Sequence, residues 1–127
     1  MAKIRMHREA DCIPVTVEQL LRGKGTSEDH LSSLPEEALG AKMRVFEEGT
    51  DSSPQLFESQ VPPNLVAPIH SHEEDEIIYI LEGEMLFGRE SYTRGSAIFV
   101  AANARYGFRA GPEGVRFLNF RPRRCDF

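Results

Sequence analysis

Short strand-forming segments separated by turn signals are the feature that most constrains the fold of this chain. From Ala41 onward, apolar and β-branched stretches alternate with clusters of Gly, Pro, Asn and Asp. This alternation is typical of an all-β sandwich or barrel. The predicted strands are Lys42–Glu47, Gln55–Val61, Val66–His72, Glu76–Leu81, Met85–Gly88, Ala97–Val100, Arg105–Arg109 and Val115–Arg121.

The first forty residues have a different pattern. We predict an N-terminal extension over residues 1–40 and a β-barrel domain over residues 41–127, since a chain of 127 residues fits one domain. The extension is expected to be mostly irregular with short helical turns. Thr16 is a suitable N-cap for one such turn, and Pro35–Leu39 predicts a second, because Pro is favoured in the first turn of a helix. The polar stretch Thr26–Ser33 is predicted to be a loop.

Charge and composition narrow the expected partners. A formal net charge of −5 argues against nucleic-acid binding, which needs a concentrated basic surface. The C-terminal arginines Arg121, Arg123 and Arg124 are interpreted as a solvated tail. No apolar run is long enough to cross a membrane and no signal peptide is recognised, so a cytoplasmic protein is expected. Cys12 and Cys125 are then predicted to be reduced thiols.

His70, His72 and Glu76 form the constellation with the clearest chemical meaning. Residues two apart in a strand project from the same face, which places the two imidazoles roughly 6–7 Å apart at the backbone. Glu76 can join them only if the chain turns over the acidic residues that precede it. Two imidazoles and one carboxylate would form a facial triad for a divalent ion, with open positions for water, oxygen or substrate. The alternative is that the His pair has no common role and that the acidic run is a solvated turn.

The same segment resembles the first motif of the cupin superfamily, G-x5-H-x-H-x3–4-E-x6-G. The match covers His70, His72, Glu76 and Gly83, with Asn64 in place of the leading Gly. The resemblance extends over about residues 55–121. It implies a single-domain cupin, that is, a jelly-roll barrel or double-stranded β-helix, and metal ligation by His70, His72 and Glu76.

The second cupin motif, G-x5-P-x-G-x2-H-x3-N, is matched only in part. Gly95 agrees, whereas Ala101 replaces the Pro and Asn103 replaces the Gly, a mild change because Asn tolerates the left-handed conformation. Tyr106 stands where the resemblance implies a fourth ligand, a His. The remaining histidines, His7 and His30, lie in the extension and would reach the site only if the extension folded over the barrel mouth.

Tyr106 is expected to point into the barrel, and three roles are open to it. It could ligate a strongly acidic metal as phenolate, donate a hydrogen bond to a metal-bound water or a substrate, or fill space with its hydroxyl satisfied. We expect the second role, which makes Tyr106 and Glu76 the candidate catalytic residues. The expected cofactor is one divalent ion, Fe, Mn, Ni or Zn.

Two classes of function agree with these residues. The first is a metal-dependent enzyme acting on a small organic molecule, such as a dioxygenase or a Lewis-acid isomerase or lyase. The second is a non-catalytic binding or sensing module in which a metal is structural or anchors the ligand; a metal-free barrel is a further alternative. Fold alone does not decide between them.

The remaining predictions concern packing. Glu76–Leu81 is apolar on both faces after its first residue, which favours a second layer and hence a homodimer. Asn119 is expected to face inward if Phe117 does. The side chains predicted to line the barrel are Phe57, Ile78, Ile80, Phe99, Phe108 and Phe117.

Overall fold

The computed structural model describes residues 2–126 and shows a predominantly antiparallel β protein with a short helical N-terminal region. The helices are a 3-10 turn at Glu9–Asp11, α1 at Val17–Gly23, α2 at Glu28–Ser33 and α3 at Glu36–Leu39. The strands are β1 Val15–Thr16, β2 Lys42–Glu47, β3 Gln55–Val61, β4 Val66–His70, β5 Glu76–Phe87, β6 Glu90–Thr93, β7 Ala97–Val100 and β8 Tyr106–Arg121.

All of these strands belong to one antiparallel sheet, in which β5 and β8 are the two long central strands. The sheet order is β1-β2-β3-β8-β5-β6, with β4 paired to β8 and β7 paired to β5. Because β5 and β8 each pair with more than two strands, the sheet bends around them and encloses one side. The predicted all-β barrel is therefore confirmed.

Glycine explains why the predicted strands at Glu76–Leu81 and Met85–Gly88 are in fact one strand. Gly83 has a φ of 83°, and its register with β8 shifts before Met85. A Cβ at Gly83 would overlap the carbonyl oxygen of Gly114, so a side chain is excluded by both φ and space. Gly83 therefore marks a β-bulge that bends a continuous strand, where the sequence predicts a turn.

The N-terminal region contains more helix than its sequence predicts. Thr16 caps α1 through a capping box with Gln19, as expected of an N-cap residue. The prediction of a loop over Thr26–Ser33 is wrong, because Ser27 caps the backbone N–H of His30 and starts α2. None of the helices in residues 2–126 has the length and hydropathy to span a bilayer.

The barrel core lies on the inward face of β5 and β8, where Ile78, Ile80 and Phe117 are buried. On the outward face of β5, by contrast, Ile77 and Tyr79 are exposed. Phe99, predicted to line the barrel, also lies on the outside with 65% of its surface exposed. An apolar outer face of this kind agrees with a second layer, and the homodimer remains a prediction.

Candidate functional site

The loop between β4 and β5 turns the chain where the sequence predicts a turn. The strand β4 ends at His70 and β5 begins at Glu76. The Asp75 carboxylate accepts the backbone N–H of Ala102 at 2.8 Å, and the His72 carbonyl accepts the N–H of Asn103 at 2.7 Å. Asn103 adopts the left-handed conformation expected of it, with a φ of 65°. These two bonds tie the loop to the chain that leads into β8.

His70 and His72 lie side by side, as predicted from their spacing. Their ring centroids are 5.0 Å apart, and Nδ1 of His70 lies 2.7 Å from the Pro68 carbonyl oxygen. A carbonyl can only accept, so Nδ1 of His70 carries a proton, and in the neutral form of the ring the lone pair is on Nε2. Burial lowers the pKa of His72, and the nearby charge of Arg121 lowers it further, although Glu76 partly opposes them. His72 is therefore a neutral imidazole at pH 7.

Glu76 points into the barrel, where its carboxylate is enclosed by hydrogen-bond donors. Only 1% of the residue is exposed. Its Oε1 accepts the Tyr106 hydroxyl at 2.7 Å. Its Oε2 accepts hydrogen bonds from Nε of Arg121 at 2.8 Å and from Nδ2 of Asn119 at 3.1 Å, and Nη2 of Arg121 forms an ion pair with it at 2.7 Å. The buried charge of Glu76 is thus balanced by a guanidinium.

Arg121 corrects the interpretation of the C-terminal arginines as a solvated tail. Its side chain is 2% exposed, and it also donates to Gln55 at 3.2 Å and to the Asp126 carbonyl at 2.8 Å. Its guanidinium carbon lies 5.1 Å from the centroid of the Phe57 ring. The strand β8 continues to Arg121, so the inward alternation that begins at Phe117 ends on this residue. That alternation was the signal in the sequence that could have identified it.

The arrangement does not fit the predicted three-ligand metal site. The imidazole pair alone is compatible with one ion, but both oxygens of Glu76 accept hydrogen bonds and a fixed cation lies against one of them. Within residues 2–126 no group of three or more His, Cys, Asp and Glu side chains is placed to hold a metal ion. His7 cannot complete the site, because it pairs with Glu47 at 2.6 Å. Glu76 therefore does not fit the role of third ligand in the expected triad with His70 and His72, because it is paired with Arg121.

Tyr106 is a neutral phenol that supports this cluster. Burial and the adjacent charge of Glu76 raise the pKa of its hydroxyl well above the usual value. Ligation of a metal as phenolate is thus disfavoured. The acceptor of the Tyr106 hydroxyl is Glu76, whereas the sequence predicted a metal-bound water or a substrate as the acceptor. Its ring lies 4.5 Å from the His70 ring, centroid to centroid. Tyr106 therefore links Glu76 to the imidazole pair.

A cavity of about 320 Å³ lies in front of the imidazoles. Its wall is mostly apolar, and its polar lining residues are Lys42, Ser59, His70, His72, Tyr106 and Asn119. Two of these residues, Tyr106 and Asn119, donate to the carboxylate of Glu76. The predicted extension contributes to the cavity wall through α1. The apolar lining includes Val17, Leu20, Leu21, Met43, Phe57, Val61, Pro68, Phe108 and Phe117.

A wider cleft of about 580 Å³ lies between α1 and the C-terminal residues. It is lined by Lys24, Glu48, Arg124 and Asp126 among others and contains no imidazole. We place the functional site in the smaller cavity, because a mostly apolar wall with a few polar groups is typical of small-molecule sites.

Solved structures with the same architecture identify the fold. An RmlC-like cupin protein from Ralstonia eutropha JMP134 superposes on this chain with a TM-score of 0.70 and 11% sequence identity. The match covers 95% of this chain and 69% of the Ralstonia protein. The chain has the cupin fold. The cupin fold expected from the His-x-His segment is therefore confirmed. Neither a family model nor a curated protein sequence matches the chain.

Two further cupins are enzymes. The polyketide cyclase RemF from Streptomyces resistomycificus is 26% identical, with a TM-score of 0.66, and the match covers 94% of this chain and 80% of RemF. The Bacillus subtilis oxalate decarboxylase, which has Mn(II) centres, is 15% identical with a TM-score of 0.55, and the match covers 65% of this chain and 25% of the decarboxylase chain. Cupins similar to this chain thus include enzymes and a metal-containing protein.

Proposed function

We propose that this protein is an enzyme that moves a proton on a small, largely apolar molecule carrying a carbonyl group. The observation that carries the proposal is the pair of imidazoles, His70 and His72, whose ring centroids lie 5.0 Å apart on the wall of the 320 Å³ apolar cavity. A cyclase, lyase or isomerase reaction of this class begins with removal of a proton next to a carbonyl.

The two imidazoles suit the two halves of that step. His70 has its Nδ1 proton engaged by Pro68, so its Nε2 lone pair is the base that takes the proton from carbon. His72, being neutral, has one N–H, which donates to the carbonyl oxygen as negative charge develops there. Because the cavity is apolar, such a hydrogen bond is stronger than it would be in water.

The cluster behind the cavity wall holds these groups in place. Tyr106 packs against the His70 ring and is itself fixed by Glu76, which is fixed in turn by Arg121. A base held by packing and hydrogen bonds needs little reorganisation when the substrate arrives. Glu76 is therefore a positioning residue in this proposal, in place of the catalytic role expected from the sequence.

The lining favours a flat substrate with one polar end. Aromatic and aliphatic side chains form most of the wall, and the polar groups on it include the two imidazoles and the Tyr106 hydroxyl. The similarity to RemF, a polyketide cyclase, supports a carbonyl-bearing substrate of this kind. The metal-dependent alternative is less well supported, because the carboxylate needed as third ligand is engaged by Arg121.

Exchange of the α-protons of 1-tetralone, a flat bicyclic ketone, tests the proposal. In deuterated buffer containing EDTA, the protein should accelerate loss of the α-proton NMR signals. His70→Gln should reduce that rate at least about a hundredfold, in keeping with general base catalysis. His30→Gln is the matched control, because His30 is an exposed histidine on α2, and it should leave the rate unchanged.

The outcomes separate the candidate functions. Binding of 1-tetralone, seen as a thermal shift, without any exchange would favour the non-catalytic binding module. Exchange that disappears in EDTA and returns with Fe²⁺ or Zn²⁺ would favour the metal-dependent enzyme. Equal rates in the wild type and His70→Gln would refute the assignment of the base.

A further inference from the structure

Arg121 is held more firmly than a role as a simple surface cation would require. Its guanidinium donates to Glu76, Gln55 and the Asp126 carbonyl, and it lies over the Phe57 ring. These partners come from β5, β3 and the residues after β8. A cation tied to so many elements cannot leave the carboxylate without disturbing the barrel.

The position of Arg121 has a direct electrostatic consequence for the imidazoles. The carboxylate of Glu76 and the guanidinium form a neutral pair, which has no net negative charge to attract a dication. The guanidinium lies close to the imidazoles, because Glu76, which it binds, accepts the hydroxyl of Tyr106, whose ring centroid is 4.5 Å from that of His70. A metal ion placed between His70 and His72 would be repelled by this fixed positive charge.

We infer that the Arg121 guanidinium takes the place of a metal ion beside Glu76 and keeps the imidazole pair metal-free. The inference deepens the proposed function and rests on it, since it is the reason that the lone pair of His70 and the N–H of His72 stay available for the proton transfer. It also assigns a role to Arg121 that its position near the end of the sequence does not suggest.

Loss of the charge at residue 121 should create a metal site. It frees the Glu76 carboxylate, and His70, His72 and Glu76 then form a site with a net negative charge. Arg121→Gln should bind Zn²⁺ at least ~100-fold more tightly than the wild type, because a fixed like charge has been removed from its neighbourhood.

The experiment is equilibrium dialysis of tag-free, EDTA-treated protein against Zn²⁺, with metal content measured by mass spectrometry. Arg116→Gln is the matched control. Arg116 lies on the same strand and also pairs with carboxylates, Glu58 at 3.4 Å and Glu82 at 3.3 Å. This control should bind no more Zn²⁺ than the wild type. The double variant Arg121→Gln with His72→Ala should lose the gained ion.

Each result decides the matter. Near-stoichiometric Zn²⁺ in the wild type, or equal affinity in the wild type and Arg121→Gln, overturns the inference. If Arg121→Gln is not recovered folded, its refolding with and without Zn²⁺ replaces dialysis: recovery only with Zn²⁺ supports the inference, and failure in both media overturns it. The exchange of the α-protons of 1-tetralone in EDTA is measured separately. If the wild type catalyses this exchange but also binds Zn²⁺, only this inference is refuted and the proposed function stands.

Discussion

The ion pair between Glu76 and Arg121 gives the sharpest prediction about stability. Both side chains are almost fully buried, at 1% and 2% exposure, and Oε2 lies 2.7–2.8 Å from two guanidinium nitrogens. Removing one partner leaves an uncompensated charge in the barrel, which costs about 3–5 kcal/mol. The whole free energy of unfolding of a small domain is only about 5–15 kcal/mol. Arg121→Met alone should therefore remove a large share of the stability.

Removal of both charges should be far less harmful than the sum of the single changes. If Glu76→Gln and Arg121→Met acted independently, together they would cost about 6–10 kcal/mol. The double variant instead has no buried charge, and Tyr106 and Asn119 can still donate to the amide oxygen of the new side chain at position 76. We expect a coupling energy of about 3 kcal/mol or more, since paired buried charges are non-additive.

Urea denaturation of the wild type, both single variants and the double variant measures this coupling directly. Tryptophan is absent from the sequence, so far-ultraviolet circular dichroism is the suitable probe. Arg123→Gln is the control here, and its loss should be below about 1 kcal/mol because Arg123 and its partner Glu74 are both partly exposed. Additive costs for the two changes would refute the claim that Arg121 balances the charge of Glu76.

Three smaller predictions follow from individual contacts. Tyr106→Phe leaves one oxygen of Glu76 without its donor and should lower the free energy of unfolding by about 1.5–3 kcal/mol, measured by urea titration; no loss would contradict the bond. The native pKa of His72 is lowered, so below about pH 6.5 the unfolded chain binds a proton that the native protein does not. Stability should therefore fall as the pH drops from about 6.5, and His72→Gln should flatten that fall in thermal melts; an unchanged slope would count against a neutral, partly buried His72. Gly83→Ala should unfold the barrel or lower its melting temperature sharply, because a Cβ there meets the Gly114 carbonyl, and wild-type melting would disprove that packing.

Much of the barrel could be predicted from the sequence, because strand-forming runs and turn residues are local signals. Lys42–Glu47, Gln55–Val61 and Ala97–Val100 agree with the structure at both ends. The errors arose where a local signal had two meanings. Gly83 is equally typical of a turn and of a bulge, and only its contact with Gly114, on another strand, decides between them.

The candidate site was predictable only in part for the same reason. The spacing of His70, His72 and Glu76 correctly predicts paired imidazoles and an inward carboxylate after a turn. What compensates that carboxylate depends on Arg121, which lies 45 residues further along the chain. A long-range pairing of β5 with β8 brings them together, and neither the motif nor the composition contains that information.

The protonation state of the two imidazoles, followed by ¹⁵N NMR at pH 7 on tag-free protein, tests the central claim most directly. We expect Nδ1 of His70 to carry a proton and His72 to be neutral. One equivalent of Zn²⁺ should leave the imidazole ¹⁵N shifts of both residues unchanged. A zinc-induced shift of both rings at one equivalent would show that the pair binds a metal ion in spite of Arg121, and would contradict the claim.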